Sequence, residues 1–90
     1  MKVETFQKNL GRAVATVRAS RGMTQADLAR GSKLRHASQI STIERGMGNP
    51  TARVVFVLAQ GLHVKVSALM TLAEHPHGPA GAVRDLAEGK

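Results

Sequence analysis

Apolar residues recur along the first part of the chain at the three- and four-residue steps that line one side of an α-helix. They are Phe6, Leu10, Ala13, Val14 and Val17, and most positions between them are polar or basic. Gly22 ends the run, because glycine readily adopts the left-handed conformation that closes many helices. The pattern predicts a first helix from about Thr5 to Arg21.

A second, shorter helix is predicted after Thr24. The Thr24 hydroxyl can cap the helix start, and Asp27 can answer it three residues later as a weaker version of a capping box. Gly31 and Ser32 indicate where this helix ends. The side expected to be buried consists of Ala26, Leu28 and Ala29. Since the helix covers barely two turns, packing against the rest of the chain must stabilise it.

A third helix has an apolar inner side formed by Ile40 and Ile43, with Gly46 at its end. Leu34 is expected to point inward as an anchor in the preceding connection. The residues between Leu34 and Ile40 are all polar or small, namely Arg35, His36, Ala37, Ser38 and Gln39. Two short helices joined by a tight connection, the second with a polar start, form the layout of a helix-turn-helix that reads DNA.

Two further helices are expected in the remainder. Pro50 breaks the preceding structure, Thr51 can cap a new helix, and the run Ala52 to Leu62 is apolar at nearly every position. Its bulky and β-branched residues would also suit a buried strand, but the capped start and the length favour a helix. The apolar residues Val66, Leu69, Met70 and Leu72 predict a fifth helix that begins at or just before Ser67.

Prolines and glycines interrupt the pattern near the end of the chain. The interruption predicts one domain over residues 1–74, followed by a flexible tail over residues 75–90. The segment His75-Pro76-His77 belongs to this tail.

The charge of the chain adds a class of partner. There are 13 Lys and Arg against 6 Asp and Glu, a formal net charge of +7 on 90 residues, and such a surface attracts polyanions. The absence of cysteine excludes disulfides and thiolate metal sites. No segment approaches the ~20 apolar residues that cross a bilayer, and the start lacks a secretory signal. We therefore expect no membrane association and a cytoplasmic protein of a prokaryote or phage, located at the nucleoid when bound.

Other functional classes find little support in the sequence. Four histidines invite a metal hypothesis, but no acidic or thiolate residues cluster with them; they are His36, His63, His75 and His77. No set of nucleophile, base and orienting residue emerges, so we expect neither an enzyme nor a cofactor. Aromatic residues make up 2% of the chain, too few for a platform that stacks single-stranded bases. Duplex DNA is the favoured partner.

Several short motifs, in order from about Phe6 to Leu72, resemble a known family. They are Arg18 and Gly22-Met23-Thr24-Gln25 before Leu28-Ala29, then Ile40-Ser41-Thr42-Ile43-Glu44-Arg45-Gly46, Asn49-Pro50, and Gly61-Leu62-His63-Val64. The family is that of the lambda-repressor-like, Cro/C1-type domains, also called the XRE family. The resemblance implies an all-α fold, a compact five-helix bundle. It also implies a sequence-specific transcriptional regulator of double-stranded DNA, acting as a repressor or autoregulator, with the third helix in the major groove.

Residue roles follow from the resemblance by matching positions. The expected base readers are His36, Ala37, Ser38 and Thr42, with Gln39 close enough to compete. The expected phosphate contacts are Gln25, which also braces the recognition helix, and Arg35, Ser41, Arg45 and Asn49 with the backbone amides near 46–48. Arg35 could instead reach a guanine. Lys33 and Arg53 are further candidates for phosphate contact.

Arg18 and Glu44 match a pair that in related domains forms a partly buried ion pair between the first helix and the recognition helix. The chain departs from the family at one point. Ten residues separate Leu28-Ala29 from Ile40-Ser41, where nine are commonest. Either the turn is one residue longer or the third helix starts one residue earlier, and the two options orient Arg35 and His36 differently.

The family resemblance also bears on partners. We expect a homodimer on a roughly palindromic operator, with half-sites about one helical turn apart. The expected dimer surface is the fifth helix, although the same side chains could complete the core; they are Val64, Val66, Leu69 and Met70. The alternatives are an antitoxin that binds a protein partner and also its own promoter, and a non-specific nucleic-acid binder.

Overall fold

The computed structural model describes residues 1–76 of the chain, so most of the tail predicted over residues 75–90 lies outside the described residues. Within residues 1–76 there are five α-helices and no strand. They are α1 (Val3–Ser20), α2 (Gln25–Gly31), α3 (Ala37–Glu44), α4 (Ala52–Leu62) and α5 (Val66–Glu74). The all-α, five-helix prediction is confirmed, and α2 and α3 form the helix-turn-helix.

Two helix starts are capped as the sequence predicts. The Thr24 hydroxyl accepts a 3.0 Å hydrogen bond from the Asp27 amide, and the Asp27 carboxylate accepts a 2.9 Å bond from the Thr24 amide. The Thr51 hydroxyl accepts a 3.2 Å bond from the Val54 amide at the start of α4. Because these side chains satisfy amides that a helix start leaves open, they fix where α2 and α4 begin. The stretch Ala52 to Leu62 is a helix, and the strand alternative is wrong.

The core lies where all five helices meet. α1 packs against α3 and α5, and α2 packs against α3 and α4. The largest fully buried side chains come from every helix and are Val14, Val17, Leu28, Ile40, Leu58, Leu62 and Leu69. Leu34 is half-buried and packs against this core from the connection between α2 and α3, as predicted. The two helices of the motif are therefore held by α1 and α4 rather than by each other alone.

The prediction for the inner side of α2 is wrong at one residue. Ala26 is exposed, whereas Leu28 and Ala29 are buried. The buried side continues to Ser32, which lies four residues after Leu28 and three after Ala29. Helical periodicity turns position 26 away from that side. The close approach to α4 occurs at Ser32, where a Cβ on Gly61 would collide with the Ser32 hydroxyl.

The helices differ in length and polarity from membrane spans. Among residues 1–76 no single helix is both long and apolar enough to cross a bilayer, and only α4 and α5 taken together, bent by 104°, pass that test by length and composition.

Candidate nucleic-acid interface

α3 turns one apolar side inward and one polar side outward. Ile40 and Ile43 are buried at 0% and 8% exposure. Ser38, Thr42 and Arg45 follow one another at steps of four and three, so they share the opposite side. Ser38 and Arg45 are exposed, and Thr42 is half-buried. This outward side is accessible along the length of the helix.

The start of α3 fixes the placement of the additional residue in the connection. Ala37 is the first helical residue, and His36 precedes it in an extended conformation (φ −135°, ψ 135°). The helix therefore does not start early, and the turn over residues 32–36 is the longer element. Arg35 and His36 lie in this turn, both exposed, and Ala37 is half-buried at the first position of the helix.

Two of the expected base readers have hydrogen bonds within α3. The Gln39 side-chain oxygen Oε1 accepts a 3.3 Å bond from the His36 backbone amide, and the Thr42 hydroxyl donates a 2.9 Å bond to the Ser38 backbone carbonyl. A bidentate contact to adenine uses both the oxygen and the nitrogen of a glutamine side chain. Gln39 would have to release His36 to make it. Thr42 keeps a methyl group and hydroxyl lone pairs for a base edge.

The carboxyl end of α3 is held by a network centred on Glu44. Arg18 Nε lies 2.6 Å from Glu44 Oε2, and Arg18 Nη2 lies 3.0 Å from Glu44 Oε1, which makes a bidentate pair. The side chains are 18% and 8% exposed. The hydrogen bond to Glu44 raises the pKa of Arg18 above its ordinary value, and burial acts in the opposite direction. Arg18 Nη1 also donates a 2.8 Å bond to the Met23 carbonyl, which joins α1 to the start of the helix-turn-helix.

Gln25 joins α2 to the same carboxylate. It is the first residue of α2, and its Nε2 donates a 3.0 Å hydrogen bond to Glu44 Oε1. A glutamine amide carries two hydrogens, so one remains for a second acceptor. The geometry therefore allows Gln25 to brace α3 and contact another group at the same time.

The loop after α3 rests on α1. Gly46 has a positive φ of 76°, and a Cβ at this position would lie 2.8 Å from Lys8 Cγ. The amides of Gly46 and Met47 donate to the carbonyls of Ile43 and Thr42 and so close the helix. These two amides, part of the stretch expected to contact phosphate, are already engaged.

Asn49, an expected phosphate contact, has a partner that the sequence analysis missed. Gln7 Nε2 donates to Asn49 Oδ1, and also to the Gly48 carbonyl at 3.0 Å. Gln7 and Asn49 are 42 residues apart, and neither belongs to a spacing pattern that would predict the contact. Only the packing of α1 against the loop after α3 brings them together.

The other expected phosphate contacts lie around the outward side of α3. Arg45 Nε donates a 3.3 Å bond to the Ser41 carbonyl, so the Arg45 side chain runs back along the helix. Ser41 is half-buried beside it, and Arg35 is exposed at the other end of α3. Lys33 and Arg53 are exposed as well. The cationic residues therefore border both ends of the polar side.

The metal hypothesis gains nothing from the geometry. Within residues 1–76, no group of three or more His, Asp or Glu side chains is placed to hold a metal ion. His77 lies outside the described residues.

Comparison with known proteins agrees with the geometry. A helix-turn-helix family model matches residues 14–69, more than half of the chain. The chain belongs to the Cro/C1-type helix-turn-helix family. None of the curated proteins compared with it matches its sequence.

Solved structures of other regulatory proteins share the arrangement. A single-residue variant of the restriction-modification controller protein C.Esp1396I is 30% identical, with a TM-score of 0.72 over 79% of this chain and 93% of that chain. The controller protein C.AhdI from Aeromonas hydrophila is 27% identical, with a TM-score of 0.67 over 70% and 94%. The clp gene regulator ClgR from C. glutamicum, 23% identical, shares the fold with a TM-score of 0.74 over 81% and 94%. The present chain is a DNA-binding transcriptional regulator.

Proposed function

We propose that this regulator acts as a homodimer on a roughly palindromic operator. Each copy would place α3 in the major groove, in two half-sites about one helical turn apart. The observation that carries the proposal is the outward polar side of α3, on which Ser38 is exposed and Thr42 is half-buried. On the protein side of the helix, Arg18 and Gln25 bind Glu44. A helix presented in this way can enter a groove without rearrangement of the bundle.

The proposed contacts fall into two classes. Base edges would be read by His36, Ala37, Ser38, Gln39 and Thr42, and phosphates would be bound by Gln25, Arg35, Ser41, Arg45 and Asn49. Ser38 and Thr42 lie on the helix body, so the longer turn leaves their direction unchanged. His36 and Arg35 precede the helix and would approach the groove from its edge. Contacts from the backbone and from cations would set register, and the helix body would set sequence.

A dimer is proposed because a helix of eight residues spans only a few base pairs. Of the four side chains expected at the dimer surface, Val64 and Leu69 are buried in the core. Val66 and Met70 are half-buried and pack against that core with part of their surface exposed. We propose that the dimer forms around these two residues of α5. The resemblance to restriction-modification controller proteins supports a regulatory role on DNA.

The mechanism proposed is regulation by occupancy, in the cytoplasm, at a promoter that can include the protein's own. The dimer would exclude polymerase or contact it, without catalysis by the domain. A protein partner of the antitoxin type finds no specific support among the described residues.

The test is selection of duplexes from a random pool at stated salt. We expect a palindromic motif retained against excess unrelated duplex by a factor of ~10³ or more. Thr42→Ala should change the preferred base at one position of each half-site. Thr71→Ala is the matched control, because Thr71 makes the same hydroxyl-to-carbonyl bond four residues back, at 2.8 Å, on α5. No enriched motif, or a motif that Thr42→Ala leaves unaltered, would contradict the proposal.

A further inference from the structure

Gln7 connects the first helix to the loop that follows α3. It is half-buried on α1, and its Nε2 donates both to the Gly48 carbonyl at 3.0 Å and to Asn49 Oδ1. A backbone carbonyl can only accept, so the nitrogen of the Gln7 amide must face the loop. Both hydrogens of that nitrogen are then engaged. The Gln7 side chain therefore has no hydrogen left to donate to a third acceptor.

The orientation of Asn49 follows from that of Gln7. Because Gln7 offers only donors to the loop, the oxygen of the Asn49 amide must point toward α1. The two hydrogens on Asn49 Nδ2 then have no bond within residues 1–76, and the side chain is exposed. An isolated surface asparagine would turn over freely between two orientations, and only one of them presents donors to an anion.

The close packing of Gly46 against α1 keeps this arrangement in place. Gly46, next to Lys8, packs on α1 so closely that a Cβ would lie 2.9 Å from Lys8 Cα. The loop cannot move away from Gln7 without separating Gly46 from α1. Asn49 is thus held at a fixed distance from the carboxyl end of the recognition helix.

We propose that Gln7 is a positioning residue for DNA binding, which orients the Asn49 amide so that Nδ2 donates to a backbone phosphate. The inference rests on the proposed function, since it requires a duplex against this face. Gln7 itself touches no phosphate. A chain of two amides, from Gln7 to Asn49 to phosphate, also lets each hydrogen bond polarise the next.

The experiment is a double-mutant cycle with Gln7→Met and Asn49→Ala, measured on a duplex that the wild-type protein retains from a random pool. Methionine keeps the length and helix propensity of glutamine and removes both donors. We expect Gln7→Met to weaken binding about three- to tenfold per half-site, the loss of about one hydrogen bond. In the Asn49→Ala background the same change should have no further effect.

Two additional measurements separate positioning from general support. In phosphate ethylation interference, the same phosphates should lose their effect on binding in Gln7→Met as in Asn49→Ala. The dependence of affinity on salt should keep its slope, because neither residue is charged. Gln60→Met is the matched control, an exposed glutamine on α4, and should bind as wild type. Thermal melting checks folding. If Gln7→Met fails to fold, Gln7→Glu replaces it, and its affinity and salt slope are compared with those of Gln60→Glu, which carries the same added charge.

The outcomes are distinct. Wild-type affinity in Gln7→Met would overturn the positioning role and leave the proposed function intact, and so would an equal loss in both backgrounds. A wild-type protein that retains no duplex would overturn the proposed function and this inference together.

Discussion

The two ends of the recognition helix are built differently. At its carboxyl end, Glu44 receives hydrogen bonds from Arg18 and Gln25, and the following loop rests on α1. At its amino end the turn contains Ser32, whose buried hydroxyl has no partner within the described residues, and Lys33, which has a positive φ of 58°. One end is densely bonded and the other carries local strain.

The difference explains where the chain accommodates its longer connection. A change at the carboxyl end would displace a carboxylate that two other helices bind. A change in the turn over residues 32–36 displaces mostly exposed side chains, and only Ser32 and Leu34 lie against the interior. The direction of α3 is therefore set by its carboxyl end, while its amino end can vary. Mutations at the carboxyl end of α3 should therefore destabilise the fold, and mutations that relieve the turn at its amino end should stabilise it.

The largest effect is expected for Glu44→Ala. It would leave the Arg18 guanidinium without its carboxylate at 18% exposure and remove the acceptor of Gln25. Breaking a buried pair costs about 3–5 kcal/mol, and the partial exposure lowers our expectation to about 2–4 kcal/mol of unfolding free energy. Urea denaturation measures it.

Arg30→Ala is the control for Glu44→Ala, because the Arg30–Asp27 pair is exposed at 73% and 40%. An exposed pair contributes about 0–1 kcal/mol. Equal losses in the two variants would show that the network at Glu44 is not special, and the contrast between the two ends of α3 would then fail.

Gly11→Ala tests how closely α1 approaches the carboxyl end of α3. A Cβ at this position would collide with the Ile43 carbonyl and lie 2.9 Å from the Glu44 carbonyl. Overpacking costs about 1–3 kcal/mol or more, and alanine returns about 1 kcal/mol of helix propensity. We expect a net loss of about 2 kcal/mol in the unfolding free energy.

The control for Gly11→Ala is Gly31→Ala, where the nearest atom, Gly61 Cα, lies at an ordinary 3.5 Å. This variant should be as stable as the wild type or slightly more stable. If Gly11→Ala behaves in the same way, α1 and α3 do not need the close approach seen at this end.

The sequence predicts local features better than contacts between helices. The caps at Thr24 and Thr51 and the extent of α4 follow from residue spacing and are observed. The roles of Gln7 and Gly11 could not be predicted, because each depends on a residue more than thirty positions away. The exposed Ala26 shows the same limit, since small residues fit either side of a short helix and only packing selects one.

Ser32→Ala should increase stability at the strained end. Ser32 is 2% exposed, and its buried hydroxyl makes no hydrogen bond within the described residues. An unsatisfied buried polar group costs about 1–3 kcal/mol, so its removal should raise the unfolding free energy by about 1 kcal/mol. Alanine keeps the Cβ of residue 32 and removes only the hydroxyl. A lower unfolding free energy for Ser32→Ala in urea denaturation would indicate that the hydroxyl has a partner.

Lys33→Gly should give a smaller increase in the unfolding free energy, through the same turn. A side chain in the left-handed region costs about 1–2 kcal/mol, part of which the greater freedom of glycine in the unfolded chain offsets. We expect an increase of about 0.5 kcal/mol. His63→Gly, with φ 61° after α4, is the matched control and should gain as much. A gain at His63 alone would mean that the turn before α3 is not strained.

The smallest expected effect is the pH dependence of stability that comes from the cap of α2. This helix begins with Gln25, which binds Glu44. The backbone hydrogen bond from Thr24, with that from its side chain, lowers the pKa of Asp27 below its ordinary value. A carboxyl with a lower pKa in the folded state stabilises it above the unfolded pKa and loses that contribution as the pH falls through the folded pKa. Asp27→Asn should therefore be less stable than wild type at neutral pH, with a gap that closes in acid.

Denaturation of both proteins across this pH range measures the gap, and Glu74→Gln, at the exposed end of α5, is the control. A gap that stays constant from neutral to acid pH would mean that the charge of Asp27 does not support α2. Gln25 would then reach Glu44 with the same geometry at every pH, because the start of α2 would not depend on the ionisation of Asp27.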